Sequence, residues 1–406
     1  MFRCYIRVPT YTTMNKTELK VAKISDIKKD TPQLPSNLLC FSHLRWDCVY
    51  QRPQHLLTRF SKIFKVYFLE EPICDVTDKP FLSISAINNN LYILTPHLYK
   101  GLSHSEIIEY QTDMLDTFLE NKIVSDFVFW YYTPMALEFS ARHNPSLIVY
   151  DCMDELSAFK FAPAQLKGYE KDLFSKAHIA FTGGYSLYEH KKNEHKNIFP
   201  FPSSIDKNHF GKARKIKPEL EDQQNIPHPR IGFFGVIDER FDIELIREIA
   251  EQRPDWHIVL IGPIRKVDSA LLPKSENIHY LGQKNYQELP LYLAGWDIAL
   301  IPFLLNESTK FISPTKTPEY LAAGIPVVST AIKDVVRPYG DMGMVHIAHN
   351  SKQFIHAIQT ELISTKKEWL ALVDEFLEHN SWDLTCSKMV QHMEKAIVGK
   401  KIIQLQ

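Results

Sequence analysis

The stretch "SPTKTPEYLAAGIPVVST", residues 313–330, decides how the rest of the chain is read. It follows the apolar run "DIALIPF" (297–303) and closes on another, "IPVVST" (325–330). Both are short and rich in β-branched residues, as strands buried on two faces are. The intervening segment is long enough for a short helix. Proline suits the first helical position and threonine the N-cap, so the helix is expected to start at Pro318, capped by Thr317. It should end at Gly324, which tolerates the left-handed cap conformation. Ser313, Thr315 and Lys316 then lie in the loop facing the helix N-terminus. Free N–H groups, the helix dipole, hydroxyls and an ammonium converge there, which is the composition of a phosphate site. Glu319 falls in the first turn, where the dipole favours a carboxylate, and it can accept hydrogen bonds from ribose hydroxyls. The competing reading is ordinary helix capping beside a solvated lysine.

The same alternation extends outward in both directions. "NLLCFS", "VYFLEE", "LYILTP", "FVFWYYT", "LIVYDCM" and "HIAFTG" read as buried strands in residues 37–183. Helical periodicity intervenes in "SEIIEYQTDMLDTFLENKI" and "QLKGYEKDLFSKA". A second series follows the charged break "GKARKIKPELEDQQNIPHP" (211–229): "RIGFFGV", "HIVLIG", "NIHYLG", "DIALIPF", "IPVVST" and "MVHIAH". Strand and helix alternating twice over predict two parallel α/β sheets. The expected organisation is an N-terminal extension (1–36), a first α/β domain (37–210), a second (211–380) and a terminal helical segment (381–406). Parallel sheets bind ligands beyond the carboxyl ends of their strands, and two of them side by side leave a cleft.

The totals agree with this picture. A chain of 406 residues exceeds what one ordinary core serves, and 45% hydrophobic with 23% charged residues is a globular balance. A formal net charge of -1 gives no reason to expect nucleic acid as a partner. The cysteines, Cys4, Cys40, Cys48, Cys74, Cys152 and Cys386, form no C-x-x-C pair, so neither a zinc site nor a disulfide framework is expected. No apolar run reaches membrane-spanning length, and the start "MFRCYIRVPTYTTMNK" lacks the apolar core of a signal peptide. Met14 is a candidate alternative start. The expectation is a cytoplasmic protein.

Three further strand ends carry candidate chemistry. In "GFFGVIDERFD" (232–242), Gly235 allows close backbone approach to a diphosphate and Arg240 can make a bidentate contact to it. The alternative is a plain turn with Arg240 paired to Asp238 or Asp242. In "FSHLRWDCVYQRPQHLL" (41–57), His43, Asp47 and Arg52 gather beside Trp46 as in a polar-acceptor site. His55, on the apolar helix, reads better as a core histidine. In "YDCMDELSAF" (150–159), Asp151, Asp154 and Glu155 can bind sugar hydroxyls or assist proton transfer. A helix N-cap by Asp154 competes with that role. Gly183-Gly184 follow another strand, without the G-x-S-x-G of a nucleophile elbow. G-x-G-x-x-G, the Walker A motif, H-E-x-x-H and D-x-D are all missing, so dehydrogenase, NTPase and metalloprotease readings lose their support.

Taken together these motifs resemble a GT-B glycosyltransferase of the family 4, glycosyl transferases group 1 type. The phrases around residues 41–57, 150–159, 232–242 and 289–303 are similar to a bacterial subgroup that makes cell-surface polysaccharides of the teichuronic-acid kind. The resemblance implies two Rossmann-like domains facing a central cleft, with the C-terminal helix crossing back to the first. It implies a nucleotide-diphospho-sugar donor, with UDP or GDP expected, no further cofactor and no metal. Glu319 matches the ribose-binding glutamate; Ser313, Thr315 and Lys316 fall in the phosphate loop; Gly235 and Arg240 fall at the diphosphate. His43, Asp47, Arg52, Asp151 and Asp154 are then the acceptor side, and His43, Asp154, Arg240 and Lys316 the catalytic set. The acceptor is expected to be a saccharide or lipid-linked, with peripheral contact at the inner membrane face. Two departures stand out. Phe311 occupies the place of the first glutamate of E-x7-E, and Tyr131 and Tyr132 stand near where the family has a histidine. The alternatives are a sugar-nucleotide-binding scaffold without catalysis and a GT-B sugar-nucleotide epimerase.

Overall fold

The computed structural model describes residues 34–160, 162–215 and 220–404. Cys4, Met14 and most of the expected N-terminal extension lie outside them. The first sheet comprises β1 (Asn37–Phe41), β2 (Lys65–Leu69), β3 (Ile73–Val76), β4 (Phe81–Asn88), β5 (Leu91–Tyr99), β6 (Phe127–Tyr131), β7 (Leu147–Cys152), β8 (Ile179–Thr182) and β9 (Ile198–Pro200). Its order is β3-β5-β2-β1-β6-β7-β8-β9, with β4 antiparallel on β5 and every other pairing parallel. The second sheet holds β10 (Arg230–Phe234), β11 (His257–Ile261), β12 (Ile278–Gly282), β13 (Ile298–Ile301), β14 (Val327–Ser329) and β15 (Val345–Ile347). It is wholly parallel, in the order β12-β11-β10-β13-β14-β15.

Side chains alternate across each strand, so each sheet needs cover on both faces. Along β1, Leu38 and Cys40 enter one core while Leu39 and Phe41 enter the other. The first of these cores is completed from the far end of the chain. The C-terminal helix Trp382–Gln404 contributes Trp382, Met389 and Met393, all fully or nearly fully buried, to the same cluster as Leu38 and Trp130. The expected return of that helix to the first half is therefore present. The second half has a core of its own, built on Phe233, Val259, Leu300 and Tyr320.

Strand order reverses near the middle of each sheet. In the second sheet the reversal lies between β10 and β13, in the first between β1 and β6. Loops leaving those strands diverge and open a crevice, which is where open α/β sheets bind ligands.

Candidate functional site

The second-half wall of the site is built on the β10–β13 switch point. Directly after β10, Gly235 takes a φ of +139°, and Gly262, directly after β11, takes +140°. Both values lie where side chains are strained. A Cβ on Gly262 would overlap the Gly235 carbonyl, so the two strand ends pack backbone against backbone. A Cβ on Gly235 would overlap the Lys316 side chain and leave its ammonium at 2.6 Å. The glycine thus makes a groove, and Lys316 fills it. Its ammonium lies 5.5 Å from the ring centres of both Phe233 and Phe303.

The helix over this groove runs Lys316–Ala322, so it begins two residues before the expected start. Thr315, not Thr317, holds the N-cap position, and neither side chain caps: the Thr317 hydroxyl is buried without a partner. Pro318 sits third in the helix, where the missing N–H is still one that a helix leaves unpaired. Lys316 consequently belongs to the first turn rather than the loop. At the other end the expectation holds. Gly324 has φ +78°, its N–H bonds Leu321 O at 2.9 Å, and Ile325 N–H bonds Tyr320 O at 3.1 Å, which is a Schellman closure.

Arg240 is held by Asp238, the pairing that the sequence left open. Its backbone N–H and Nε reach Asp238 Oδ1, each at 3.0 Å, and Nη2 reaches Oδ2 at 2.6 Å. Asp242 is committed elsewhere, capping the helix Ile243–Gln252. Burial, and then the Arg240 charge, lower the pKa of Lys316; burial raises that of Glu319, against the pull of Lys316. Among the described residues no carboxylate comes within ion-pair distance of the Lys316 ammonium. Of the two cations on this wall, Arg240 is paired with Asp238, and Lys316 has no ion pair among the described residues.

A cavity of about 460 Å³ joins this wall to the first half. Of the residues singled out from the sequence, Gly235, Arg240, Ser313, Thr315, Lys316 and Glu319 line it from one side. Asp47, Arg52 and Asp154 line it from the other. Asp154 caps no helix, since the turn Leu156–Ala158 has no side-chain cap. Burial raises its pKa to about 6, with Arg240 and Arg52 pulling the other way. Asp47 stands exposed at the rim.

Two expected acceptor residues are placed differently. Asp151 is fully buried beneath the cavity, where Arg52 Nε and Nη2 bond its carboxylate at 3.0 and 2.8 Å, and Arg52 Nη1 bonds Phe201 O. This satisfied pair anchors the helix Arg52–Phe60 to β7 rather than presenting Asp151 to a ligand. His43 is not among the cavity-lining residues; burial holds its pKa down at about 4, so it is neutral at pH 7. His55 is buried and stacked on Trp382 at 4.6 Å, a core histidine as read. Glu155 bonds Lys191 at 2.6 Å and Ser157 at 2.6 Å, outside the cavity. Tyr131 and Tyr132 are buried in the first-half cores. Sequence reading missed Gly262 and Tyr286, which line the cavity from the loops after β11 and β12. The glycine ending "HIVLIG" was the available signal for the first; nothing local marked the second.

Residues 228–363 match the family model described as glycosyl transferases group 1. The match lies in the second half. The matched segment holds β10 to β15, hence Gly235, Arg240, Lys316 and Glu319, and the resemblance drawn from the sequence is borne out there. Among curated proteins, the chain is 26% identical over 219 residues to TuaH of Bacillus subtilis (strain 168), which is named for a glycosyltransferase of teichuronic acid biosynthesis. That match spans 50% of this chain and 54% of TuaH, so about half of each protein is compared. Solved structures extend the likeness in fold over nearly the whole chain. The trehalose-6-phosphate protein of E. coli bound with UDP-2-fluoro glucose is 12% identical, with a TM-score of 0.64 over 88% of this chain and 99% of that one. Sucrose-phosphate synthase from Thermosynechococcus elongatus is likewise 12% identical, with a TM-score of 0.64 over 91% and 100%. That likeness is one of fold: two parallel-sheet α/β halves of the GT-B kind. Among the described residues no helix is long and apolar enough to cross a membrane.

Proposed function

We propose that this chain is a glycosyltransferase that moves a sugar from a nucleotide-diphospho-sugar to a saccharide or lipid-linked acceptor, in the synthesis of a bacterial surface polysaccharide. The observation that carries the reading is the cavity itself. Arg240 and Lys316 face it beside Gly235, Glu319 lies one helical turn from Lys316, and Asp154 faces them from the other sheet. The lysine and arginine are placed to stabilise the departing diphosphate, the role that fixed charges fill in a partly dry site. We assign that charge to these side chains rather than to a metal ion. A dianion at Lys316 returns its pKa upward, because the opposite charge favours the protonated form.

Glu319 is the proposed ribose ligand. UDP or GDP is the proposed donor nucleotide; neighbours of the same fold hold a UDP-sugar in one case and ADP in another. No protein nucleophile is required if the leaving phosphate oxygen takes the acceptor proton on the same face, which retains the anomeric configuration. Asp154, whose pKa burial raises to about 6, orients the acceptor hydroxyl. Asp151 and Glu155 are occupied by Arg52 and Lys191, so the carboxylate set of an epimerase is reduced to Asp154. Cytoplasmic residence, with peripheral membrane contact through the acceptor, belongs to the same proposal.

The test is turnover of UDP- and GDP-sugars with a lipid-extract or oligosaccharide acceptor. Lys316→Ala and Arg240→Ala should each lower it about 10²–10³-fold with the fold intact. Wild-type rates in both variants contradict the assignment.

A further inference from the structure

Of the paired glycines after β8, Gly183 lines the 460 Å³ cavity and Gly184 does not, and each is confined. A Cβ on Gly183 would overlap the Met153 carbonyl, within the first half. A Cβ on Gly184 would overlap the Asp334 carboxylate and stand 2.9 Å from Ser313 Cβ, both in the second half. Asp334, 6% exposed, lies in the short helix Lys333–Val335 after β14 and accepts the Ser186 N–H at 2.9 Å through Oδ1. A second-half carboxylate therefore takes one of the free N–H groups at the start of the first-half helix Tyr185–Lys191. Beside it, Ser203 Oγ donates to Ser313 O at 3.1 Å. Phe311, in the same loop, stacks its ring on His190 of the first half at 4.4 Å. Ser203 and Ser313 line both the 460 Å³ cavity and a larger one of about 1400 Å³, so their hydrogen bond forms part of the wall between the two. Gly184 and Asp334 do not line the smaller cavity and reach it through Ser313.

We propose that Gly184, Ser203 and Asp334 form a clasp through which the first half positions the phosphate loop of the second. The proposal rests on the donor-site reading. Ser313 is the shared part: a diphosphate fixes it from one side and the clasp from the other. Two equilibria that order the same loop are linked, and the linkage is reciprocal, so nucleotide binding and joining of the halves each favour the other. Gly184 and Asp334 are positioning residues, and Phe311 fits the scheme. Where a glutamate would point to the donor, an aromatic ring instead holds the loop to the opposite half.

Hydrogen exchange on the full chain, with UDP and GDP as probes, tests this. The amide of Ser186 belongs to the clasp and to no proposed nucleotide contact. The clasp predicts that a binding nucleotide slows exchange in residues 313–319 and also in 183–190. Asp334→Ala should abolish protection of 183–190, keep that of 313–319, and weaken nucleotide binding by about 5-fold or more. Asp334→Asn, which retains an acceptor for Ser186, should restore most of it. Gly184→Ala should reproduce Asp334→Ala; if it fails to fold, the Asp334 pair carries the test alone. Protection of 313–319 with 183–190 unchanged in the wild type overturns the clasp and leaves the donor site standing. Retained protection of 183–190 in Asp334→Ala does the same. No protection at 313–319 with either probe overturns the donor site, and the clasp with it.

Discussion

Lys316 and Gly235 show how one side chain and one missing side chain make a site. The groove exists because position 235 has no Cβ, and the backbone there sits at a φ that other residues resist. Gly235→Ala should lose nucleotide binding and cost on the order of 1–3 kcal/mol of stability, read from urea midpoints. A variant with unchanged midpoint and affinity would refute this view of the groove. Asp154 gives a pH test. Its folded pKa, about 6, lies above the ordinary aspartate value of 3.8, so the folded state prefers the protonated form. Stability is then lost as pH rises through that interval, and above pH 6 the cost is complete, on the order of 3 kcal/mol. Asp154→Asn removes the cost: it should melt higher than the wild type at pH 8 and converge with it toward pH 4. Turnover should rise through pH 6 in the wild type and lose that limb in the variant. Residue types at strand ends were legible in the sequence, but their partners were not. "YDCMDE" offers its acids alike, and only the fold shows that Arg52, a hundred residues earlier, takes Asp151 while Asp154 keeps the cavity. Likewise Asp238 and Asp242 were equal candidates for Arg240 until one became a helix cap.

Secondary elements were read best where burial is complete on both faces. Every apolar run named as a strand is one, because continuous Val, Ile, Leu and Phe has no other use at that length. β3 and β4, in contrast, are exposed along much of their length, and β9 spans only Ile198–Pro200, so composition gave them no signature. The start of the helix at Lys316 was misplaced because Pro318 is compatible with any of the first helical positions, and the first was assumed. Its end was read correctly because Gly324 alone there can adopt φ +78° without strain; Gly324→Ala should cost about 1 kcal/mol in a urea melt. The C-terminal helix belongs to the first-half core, and Trp382, 1% exposed and stacked on His55, is its anchor. Trp382→Ala should destabilise by about 3–5 kcal/mol. A change below about 1 kcal/mol would mean that the helix is not part of that core.

For the whole molecule, the two sheets matter through what their switch points face. The loops after β1 and β7 bring Asp47 and Asp154, and those after β10 and β13 bring Arg240 and Lys316, to a single cavity. Two half-sites on separate sheets allow the donor to be held by one half and the acceptor by the other. The central claim is that the second half binds a nucleoside diphosphate at Lys316. Its most direct test is a thermal titration of wild type and Lys316→Ala with UDP and GDP, because a ligand selective for the folded state raises its melting temperature. The account predicts a saturable rise with one of the two nucleotides in the wild type and none in Lys316→Ala. Equal rises in both proteins, or no rise in the wild type with either nucleotide, would contradict it.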